Sequence, residues 1–258
     1  RLPHCRSLDF DGAAYFSRGS TVQLATPTAC LVVHLVRRNG KHSHGCAPIL
    51  KAVLEDEHFV KAGCAIDSDL LELHDLWGGH FDVRSRFDLG VVIPKKNTLP
   101  KRIEGTQAIH NKSGLKSLSR SILGVDLPKE STSAQSDWSA VPLTENQIIY
   151  AARDAWAGAA IAEKLAEYDP QLFGRDALVD LFRRTETPIT QLAERRQKRQ
   201  EAKDDLEMLL LPYSGRDGNA LYLPKKVQKR AKRLRTIIKA NIIDHHFVFE
   251  TDHVVEES

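Results

Sequence analysis

The sequence predicts an α/β layered domain followed by a charged helical extension. Two early runs, STVQLAT and ACLVVHLV, are rich in β-branched residues and are separated by Pro27 and Thr28, a pattern typical of a hairpin. Helical patterns dominate the later part of the chain, and no internal repeat is present. At 258 residues and 41% hydrophobic content, the chain is long enough for one sizeable core. Strands early and helices late favour a layered α/β architecture.

The strands and helices of the first half follow from short apolar patterns. RSLDFDG predicts a short strand ending at Gly12, and the almost wholly apolar FVKAGCAI is typical of a strand buried on both faces. DSDLLELHDLWGG predicts a helix that ends at Gly78–Gly79. VRSRFDLGVVI predicts a strand or short helix, and residues 94–113 a surface loop. The apolar residues expected to face inward are Ile49, Leu50, Val53 and Leu54 in CAPILKAVLED, and Leu70, Leu73 and Trp77 in the later helix.

The clearest helix begins after Thr144 and continues to Tyr168. Thr144 with Gln147 three residues later forms the pattern of a capping box. An earlier run, GLKSLSRSILG, predicts a shorter helix. Beyond residue 168, one or two charged helices are expected over 175–210, then a turn-rich break and a basic amphipathic helix, KKVQKRAKRLRTIIKANII.

The positive charge is concentrated near the C-terminus. Residues 183–240 contain 16 Lys/Arg against 7 Asp/Glu, whereas residues 241–258 contain five acids and no Lys or Arg. Such a basic stretch suits a polyanionic partner such as a nucleic acid, and it equally suits a solvated, charge-laced helix. The composition alone leaves both interpretations open.

Membrane and disulfide-framework classes are disfavoured. No run approaches the roughly 20 apolar residues of a membrane helix, so we expect no membrane partner. The four cysteines include no C-x-x-C pair, which favours a reducing intracellular compartment, mitochondrion or nucleus. KHSHGC matches no standard zinc spacing, and a loop with incidental histidines is the favoured interpretation.

Four acids and one tyrosine from separate segments could meet at one point in the fold. Asp9 and Asp11 lie two apart, which places both on one face of a strand. Asp69 lies at a strand–helix junction, and Tyr150 and Asp154 share a helix face. Phosphodiester hydrolysis by two divalent ions requires such carboxylates from separate elements. Each residue alone is better explained as a turn acid, a helix-terminus acid, a rim tyrosine or a solvated acid.

The surrounding motifs carry a specific resemblance. KAGCAIDSDLLEL and GLKSLSRSILGVDLPKESTSAQSDWSAVPLTENQIIYAARDAWAG resemble the second and third motif regions of the DEDD superfamily of 3′–5′ exonucleases, in the branch of ribonuclease D and the Werner-type enzymes. Ile149 stands where the sister branch has its histidine, so the resemblance indicates the tyrosine branch. It implies a ribonuclease H-like fold, a mixed sheet flanked by helices, in residues 1–168. Residues 169–258 would be a basic helical extension with an acidic tail.

The resemblance also implies roles for single residues. Asp9, Asp11 and Asp154 would hold a first Mg²⁺ or Mn²⁺, and Asp9 with Asp69 a second. Tyr150 would orient the attacking water. The family's first motif is D-x-E, so Asp11 in LDFDG is one methylene short. A displacement of about 1 Å can cost roughly a hundredfold in rate. Candidate nucleic-acid contacts, with RNA slightly favoured over DNA, are Lys129, Lys225, Lys226, Lys229, Arg230 and Arg233.

Two rival functions remain open at this point. The first is a weakened exonuclease-fold subunit or assembly factor of a ribonucleoprotein, such as a ribosome, contacting RNA or proteins through 183–258. The second is a protein-only scaffold. Binding of divalent metal would separate the enzyme from both, and salt-dependent RNA binding would separate the two rivals.

Overall fold

The fold is taken from a computed structural model, which describes residues 21–35, 47–79, 81–94, 101–104, 114–128, 136–213, 223–240 and 247–251. The chain divides into two compact units. The main unit comprises Arg1–Ile189 and His245–Ser258, and the helical unit comprises Thr190–Asp244.

The predicted hairpin is present at the start of the described chain. Strands β1 (Thr21–Thr26) and β2 (Ala29–His34) pair antiparallel, with Val22 opposite Val33. Val22 is buried, and β1 and β2 both contact the long helix described below. Helix α1 (Pro48–Glu55) follows. Leu50 and Leu54 are buried as expected, but the expectation for Ile49 is wrong, because its side chain is 78% exposed.

A parallel strand–helix–strand unit comes next. Strand β3 (Lys61–Gly63) leads into α2 (Ile66–Leu76), and β4 (Arg86–Asp88) returns parallel to β3. The three residues predicted to face inward from this helical segment are all buried: Leu70, Leu73 and Trp77. Gly78 and Gly79 end the helix with positive φ angles of 72° and 76°, the region that favours glycine.

A second small sheet unites strands that are far apart in sequence. After a 3₁₀ turn (Leu89–Val91), β5 (Val92–Pro94) pairs parallel with β7 (Phe247–Thr251). On its other side β7 pairs antiparallel with β6 (Lys101–Glu104). The predictions of a loop over 94–113 and of a mere acidic tail over 241–258 therefore each missed a strand. The described strands form three small sheets rather than the single mixed sheet that the resemblance implies.

The long helix α4 (Glu145–Tyr168) is the centre of the core. The predicted capping box is confirmed: Gln147 N donates to Thr144 Oγ1 at 3.3 Å, and Thr144 N donates to Gln147 Oε1 at 2.8 Å. The shorter predicted helix is also present, as α3 (Leu115–Leu118) continued by a π-helical turn (Ser119–Leu123). Buried side chains of both helices pack with those of β4: Phe87, Leu118, Ile122, Ala157, Ile161 and Leu165.

The core continues beyond Tyr168. Helices α5 (Pro170–Phe173) and α6 (Arg175–Thr185) contribute Phe173, Leu178 and Leu181 to it. The rings of Phe87 and Phe173 stack with centroids 6.1 Å apart. A domain boundary at Tyr168, as the resemblance suggested, would pass through this cluster, whereas the compact unit runs on to Ile189.

The helical unit contains most of α7 (Ile189–Leu210) and all of α8 (Lys225–Lys239). Arg230 of α8 lies 3.4 Å from Asp205 of α7. The predicted amphipathic helix is confirmed as α8, with Ala231 and Leu234 buried. Ile237 of the same helix is 45% exposed. None of the helices that could be searched is long and apolar enough to cross a membrane.

Candidate functional site

A cavity of about 680 Å³ lies in the main unit among the β1–β2 hairpin, α1, β3, α2 and α4. Most of its lining is aliphatic, from residues such as Leu24, Val53 and Ala159. Two carboxylates also line it: Asp69 from α2 and Asp154 from α4. These two predicted site residues, 85 positions apart in the sequence, are therefore brought to one cavity.

Asp69 is buried, with only 4% of the residue exposed. It lies in the first turn of α2, where the partial positive charge of the helix N-terminus favours a carboxylate. The chain enters this helix through Ala65, which has a left-handed backbone (φ 56°). Ala65 N donates to Asp88 Oδ1 at 2.9 Å, so strand β4 holds the entrance of the helix in place.

Asp154 and Tyr150 lie one turn apart on α4. The Tyr150 ring packs 6.1 Å from the ring of Trp138, which is itself buried. Gln147 of α4 holds the segment that precedes Trp138. Its Nε2 donates to Ser136 Oγ (3.0 Å) and to the Asp137 carbonyl (2.9 Å). Gln147 thus connects the segment 136–138 to the start of α4, and this connection fixes where Tyr150 lies.

Three of the predicted site residues lie outside the described part of the chain: Asp9, Asp11 and Lys129. The KHSHGC segment lies outside it as well. Within the described ranges, no three His, Cys, Asp or Glu side chains are placed to hold a metal ion. The donor set nevertheless fits a hard divalent cation. Asp69 and Asp154 both present carboxylate oxygens to the cavity, and these are the ligands that hard divalent cations prefer.

Lys61 is a cavity residue for which sequence analysis assigned no role. Its Nζ donates to the carbonyl oxygens of Asp56 (2.5 Å) and Phe59 (2.7 Å), which lie between α1 and β3. Burial lowers the pKa of Lys61 to about 8, although the nearby Glu186 and Asp56 oppose the shift. The sequence did contain a signal for this role: a single lysine stands at the start of the otherwise apolar run KAGCAI. A lysine buried in such a run needs specific hydrogen-bond acceptors.

Comparison with known proteins assigns the chain to a family. A family model described as 3'-5' exonuclease matches residues 9–168, more than half of the sequence. The chain belongs to this 3'-5' exonuclease family. The matched region includes all five residues of the predicted catalytic set and ends at Tyr168, the boundary drawn from the sequence motifs.

Individual relatives carry the same description. Mouse exonuclease 3'-5' domain-containing protein 2 is 30% identical over 177 residues, covering 67% of this chain and 24% of that protein. The mouse bifunctional 3'-5' exonuclease/ATP-dependent helicase WRN is 34% identical over 122 residues, covering 45% and 7%. A 3'-5' exonuclease of Arabidopsis thaliana is 30% identical over 158 residues, covering 58% and 48%. The matched part is thus less than half of each relative.

Crystal structures of the EXD2 exonuclease domain also align with the chain. The domain soaked in Mn is 28% identical in sequence, with coverage of 64% of this chain and 75% of that one. The domain soaked in Mn and GMP gives 28%, 63% and 77%. The TM-scores are 0.26 and 0.25, so the family assignment rests on the sequence match rather than on these superpositions.

The lowered pKa of Lys61 predicts a pH dependence of stability. Between pH 8 and 10.5 the unfolded chain binds a proton at this site and the folded chain does not, so the free energy of unfolding rises with pH. Because Lys61 keeps part of its solvent contact, we expect a rise of about 1–2 kcal/mol. Urea unfolding of wild type and Lys61→Met at pH 7.5, 9 and 10.5 measures it. The free energy of unfolding of wild type minus that of Lys61→Met should increase as the pH rises.

Lys164→Met is the matched control, because this lysine of α4 has a side chain 49% exposed. The difference between wild type and this control should stay nearly constant with pH. If the Lys61→Met difference is equally flat, burial does not lower the pKa of Lys61, and our account of its environment is wrong.

Proposed function

We propose that the protein is a 3′–5′ exonuclease that hydrolyses RNA or DNA from the 3′ end with two divalent metal ions, Mg²⁺ or Mn²⁺. The observation that carries this proposal is the family match over residues 9–168, within which Asp69 and Asp154 line one cavity. The tyrosine branch of the ribonuclease D and Werner-type enzymes remains part of the proposal, supported by Tyr150 and Ile149. So does the ribonuclease H-like fold.

The proposed metal ligands are Asp9, Asp11, Asp69 and Asp154. When bound, the two cations neutralise charge on the attacking and leaving oxygens of the phosphodiester. Asp9 and Asp11 therefore have to reach the cavity that Asp69 and Asp154 line. The short side chain of Asp11 makes its contribution the weakest, since carboxylate position matters at the scale of about 1 Å.

Tyr150 has the proposed role of orienting water for attack on phosphorus. Water adds to the terminal phosphate, and the bond between phosphorus and the 3′ oxygen of the preceding nucleotide breaks. The water loses a proton and the departing 3′ oxygen gains one, which yields a nucleoside 5′-monophosphate and a shortened strand. The packing of Tyr150 against buried Trp138 suits this role, because a positioning hydroxyl requires a ring held by its neighbours.

Removing the charge of Asp154 tests the proposal. We expect Asp154→Asn to lower kcat on 5′-labelled single-stranded RNA or DNA by about 10²–10³-fold, because a charge that stabilises the transition state is lost. The measurement is the rate of laddering from the 3′ end with Mg²⁺ and with Mn²⁺. Glu163→Gln removes an exposed acid from the same helix and should leave the rate unchanged.

Two outcomes would contradict the proposal. Wild-type protein that shortens neither RNA nor DNA with either metal is not an exonuclease on these substrates. Cleavage that survives unchanged in Asp154→Asn would mean that another site acts. Asp11→Glu in the same assay should preserve or raise the rate, and a large loss would mean that the site is adjusted to aspartate.

The alternative function is a catalytically weakened exonuclease-fold subunit or assembly factor of a ribonucleoprotein. The observation favouring it is α8, whose 15 residues include no acid. Its eight basic residues are Lys225, Lys226, Lys229, Arg230, Lys232, Arg233, Arg235 and Lys239. The same surface serves the enzyme, because contacts to phosphates position a nucleic acid without reading its sequence.

Charge removal on α8 tests nucleic-acid binding by either function. We expect the triple variant Lys226→Gln, Lys229→Gln, Arg233→Gln to bind single-stranded RNA and DNA of any sequence more weakly. The plot of log affinity against log salt should become less steep, its slope decreasing in magnitude by about 2, since each phosphate contact contributes roughly 0.7 for single strands. Fluorescence anisotropy over a range of salt concentrations measures it.

The matched control neutralises three basic residues of the main unit whose side chains are at least 41% exposed: Lys51→Gln, Lys164→Gln, Arg175→Gln. An unchanged salt slope in the α8 variant would make α8 a protein-contact element. Point substitutions are preferable to deleting 183–258, because that deletion also removes Glu186 and strand β7 from the main unit.

A further inference from the structure

A buried arginine at the start of β4 joins three segments of the main unit. The side chain of Arg86 is 4% exposed. Its Nε donates to Asp67 Oδ1 at 2.6 Å, in the first turn of α2. Its Nη1 donates to the Val83 carbonyl at 2.5 Å, and its Nη2 to the Thr187 carbonyl at 2.6 Å.

A second carboxylate, that of Glu186, also belongs to this cluster. Glu186 Oε1 lies 3.3 Å from Arg86 Nη1 and also accepts the backbone N–H of Arg86 at 2.7 Å. Its other oxygen accepts the backbone N–H of Ser85 at 2.9 Å. The guanidinium is thus held between two acids and two carbonyls. Its planar fork reaches all four acceptors, which the single ammonium of a lysine cannot do.

The cluster acts on the helix that carries Asp69. Asp67 is the second residue of α2 and Asp69 the fourth. Two positions correspond to about 200° of rotation at 3.6 residues per turn, so the two acids point in opposite directions. Asp67 therefore meets Arg86, while Asp69 lines the cavity.

The first turn of α2 depends on these contacts because no side chain caps it. Its N-cap residue is Ala65, in a left-handed conformation that costs an alanine roughly 1–2 kcal/mol. The contacts that hold the turn from β4 are the Asp88 carboxylate on Ala65 N and the Arg86 guanidinium on Asp67. Loss of the second would free the turn to rotate about its axis and to carry the Asp69 carboxylate with it.

We propose that Arg86 is a positioning residue for the exonuclease site: through Asp67 it fixes the orientation of the first turn of α2, and thereby keeps the Asp69 carboxylate in the cavity. This inference rests on the proposed function, which assigns Asp69 to a metal. Arg86 is not among the residues that line the cavity, so its proposed role is to act through Asp67.

Arg86→Lys tests the inference, because it keeps the charge and loses the fork. We expect a 10–100-fold weaker Mn²⁺ affinity by titration calorimetry, about the cost of removing a group that orients a metal ligand. The value of kcat should fall with it, whereas KM for the oligonucleotide should stay within about threefold, since uniform substrate binding is untouched. Arg183→Lys is the control, since Arg183 pairs with Glu57 on the exposed surface of the same unit.

A paired comparison covers the case in which Arg86→Lys does not fold. Asp67→Asn retains the oxygen that accepts from Nε, whereas Asp67→Ala removes it. Metal affinity should therefore be closer to wild type in Asp67→Asn than in Asp67→Ala. A purely stabilising role would lower the urea midpoint in these variants without changing Mn²⁺ affinity, and that result would overturn the inference.

Hydrogen exchange separates this inference from the proposed function. In Arg86→Lys the amides of Ser68 and Asp69 should exchange faster, while those in the middle of α4 keep wild-type protection. If wild type neither binds Mn²⁺ nor shortens nucleic acid, the proposed function fails, and the exchange result still decides whether Arg86 orients the turn. Unchanged exchange at Ser68 and Asp69 would overturn the inference whatever the activity.

Discussion

The close packing of α4 against the strands beside it is the interaction on which the candidate site depends. Ala157, Ile161 and Leu165 on one side of this helix are fully buried, while its small residues Gly158, Ala159 and Ala162 line the cavity. A Cβ atom added at Gly158 would meet the Ala62 carbonyl of β3 at 3.8 Å. Without large side chains at these positions, α4 can lie near β3 with Asp154 facing the cavity.

The position of α4 along its axis is set at its N-terminus. The Thr144–Gln147 box and the bonds from Gln147 to Ser136 and Asp137 fix where the helix begins. Since Tyr150 and Asp154 follow one and two turns later, the polar cap determines which residues face the cavity. Helix α2 reaches the same cavity by a different arrangement, in which strand β4 holds an uncapped first turn through Arg86 and Asp88.

Local patterns in the sequence predicted the elements whose signals are local. The hairpin around Pro27, the end of α2 at Gly78–Gly79 and the capping box of α4 all depend on residues within a few positions of each other. Pairing of β7 between β5 and β6 could not be predicted, because its partners lie about 150 residues earlier and short strands gain their order from such partners. The Arg86 cluster was equally hidden, because an arginine–acid pair 100 residues apart has no periodicity.

The candidate site was proposed from its motifs rather than from its single residues. Taken alone, Asp69 is best explained as a helix-terminus acid and Asp154 as a solvated acid. Only the sequence motifs around them indicated that they could be site residues. The concentration of basic residues predicted α8 within the C-terminal extension. Charge gave no indication that residues 169–189 belong to the main unit, which contains the core. Apolar residues such as Phe173 and Leu178 were present in the sequence, and their contribution became clear only with their partners Phe87 and Leu165 in place.

Under the proposed function, carboxylates from separate elements share divalent metal ions. Titration of Mn²⁺ followed by electron paramagnetic resonance tests it most directly, on wild type and on the single variants Asp9→Asn, Asp11→Asn, Asp69→Asn and Asp154→Asn. Asp75→Asn, an exposed acid of α2, serves as the control. We predict saturable binding by wild type and control, and affinity at least about tenfold weaker in each of the four variants. Wild type without saturable binding, or four variants that bind as wild type does, would contradict the account.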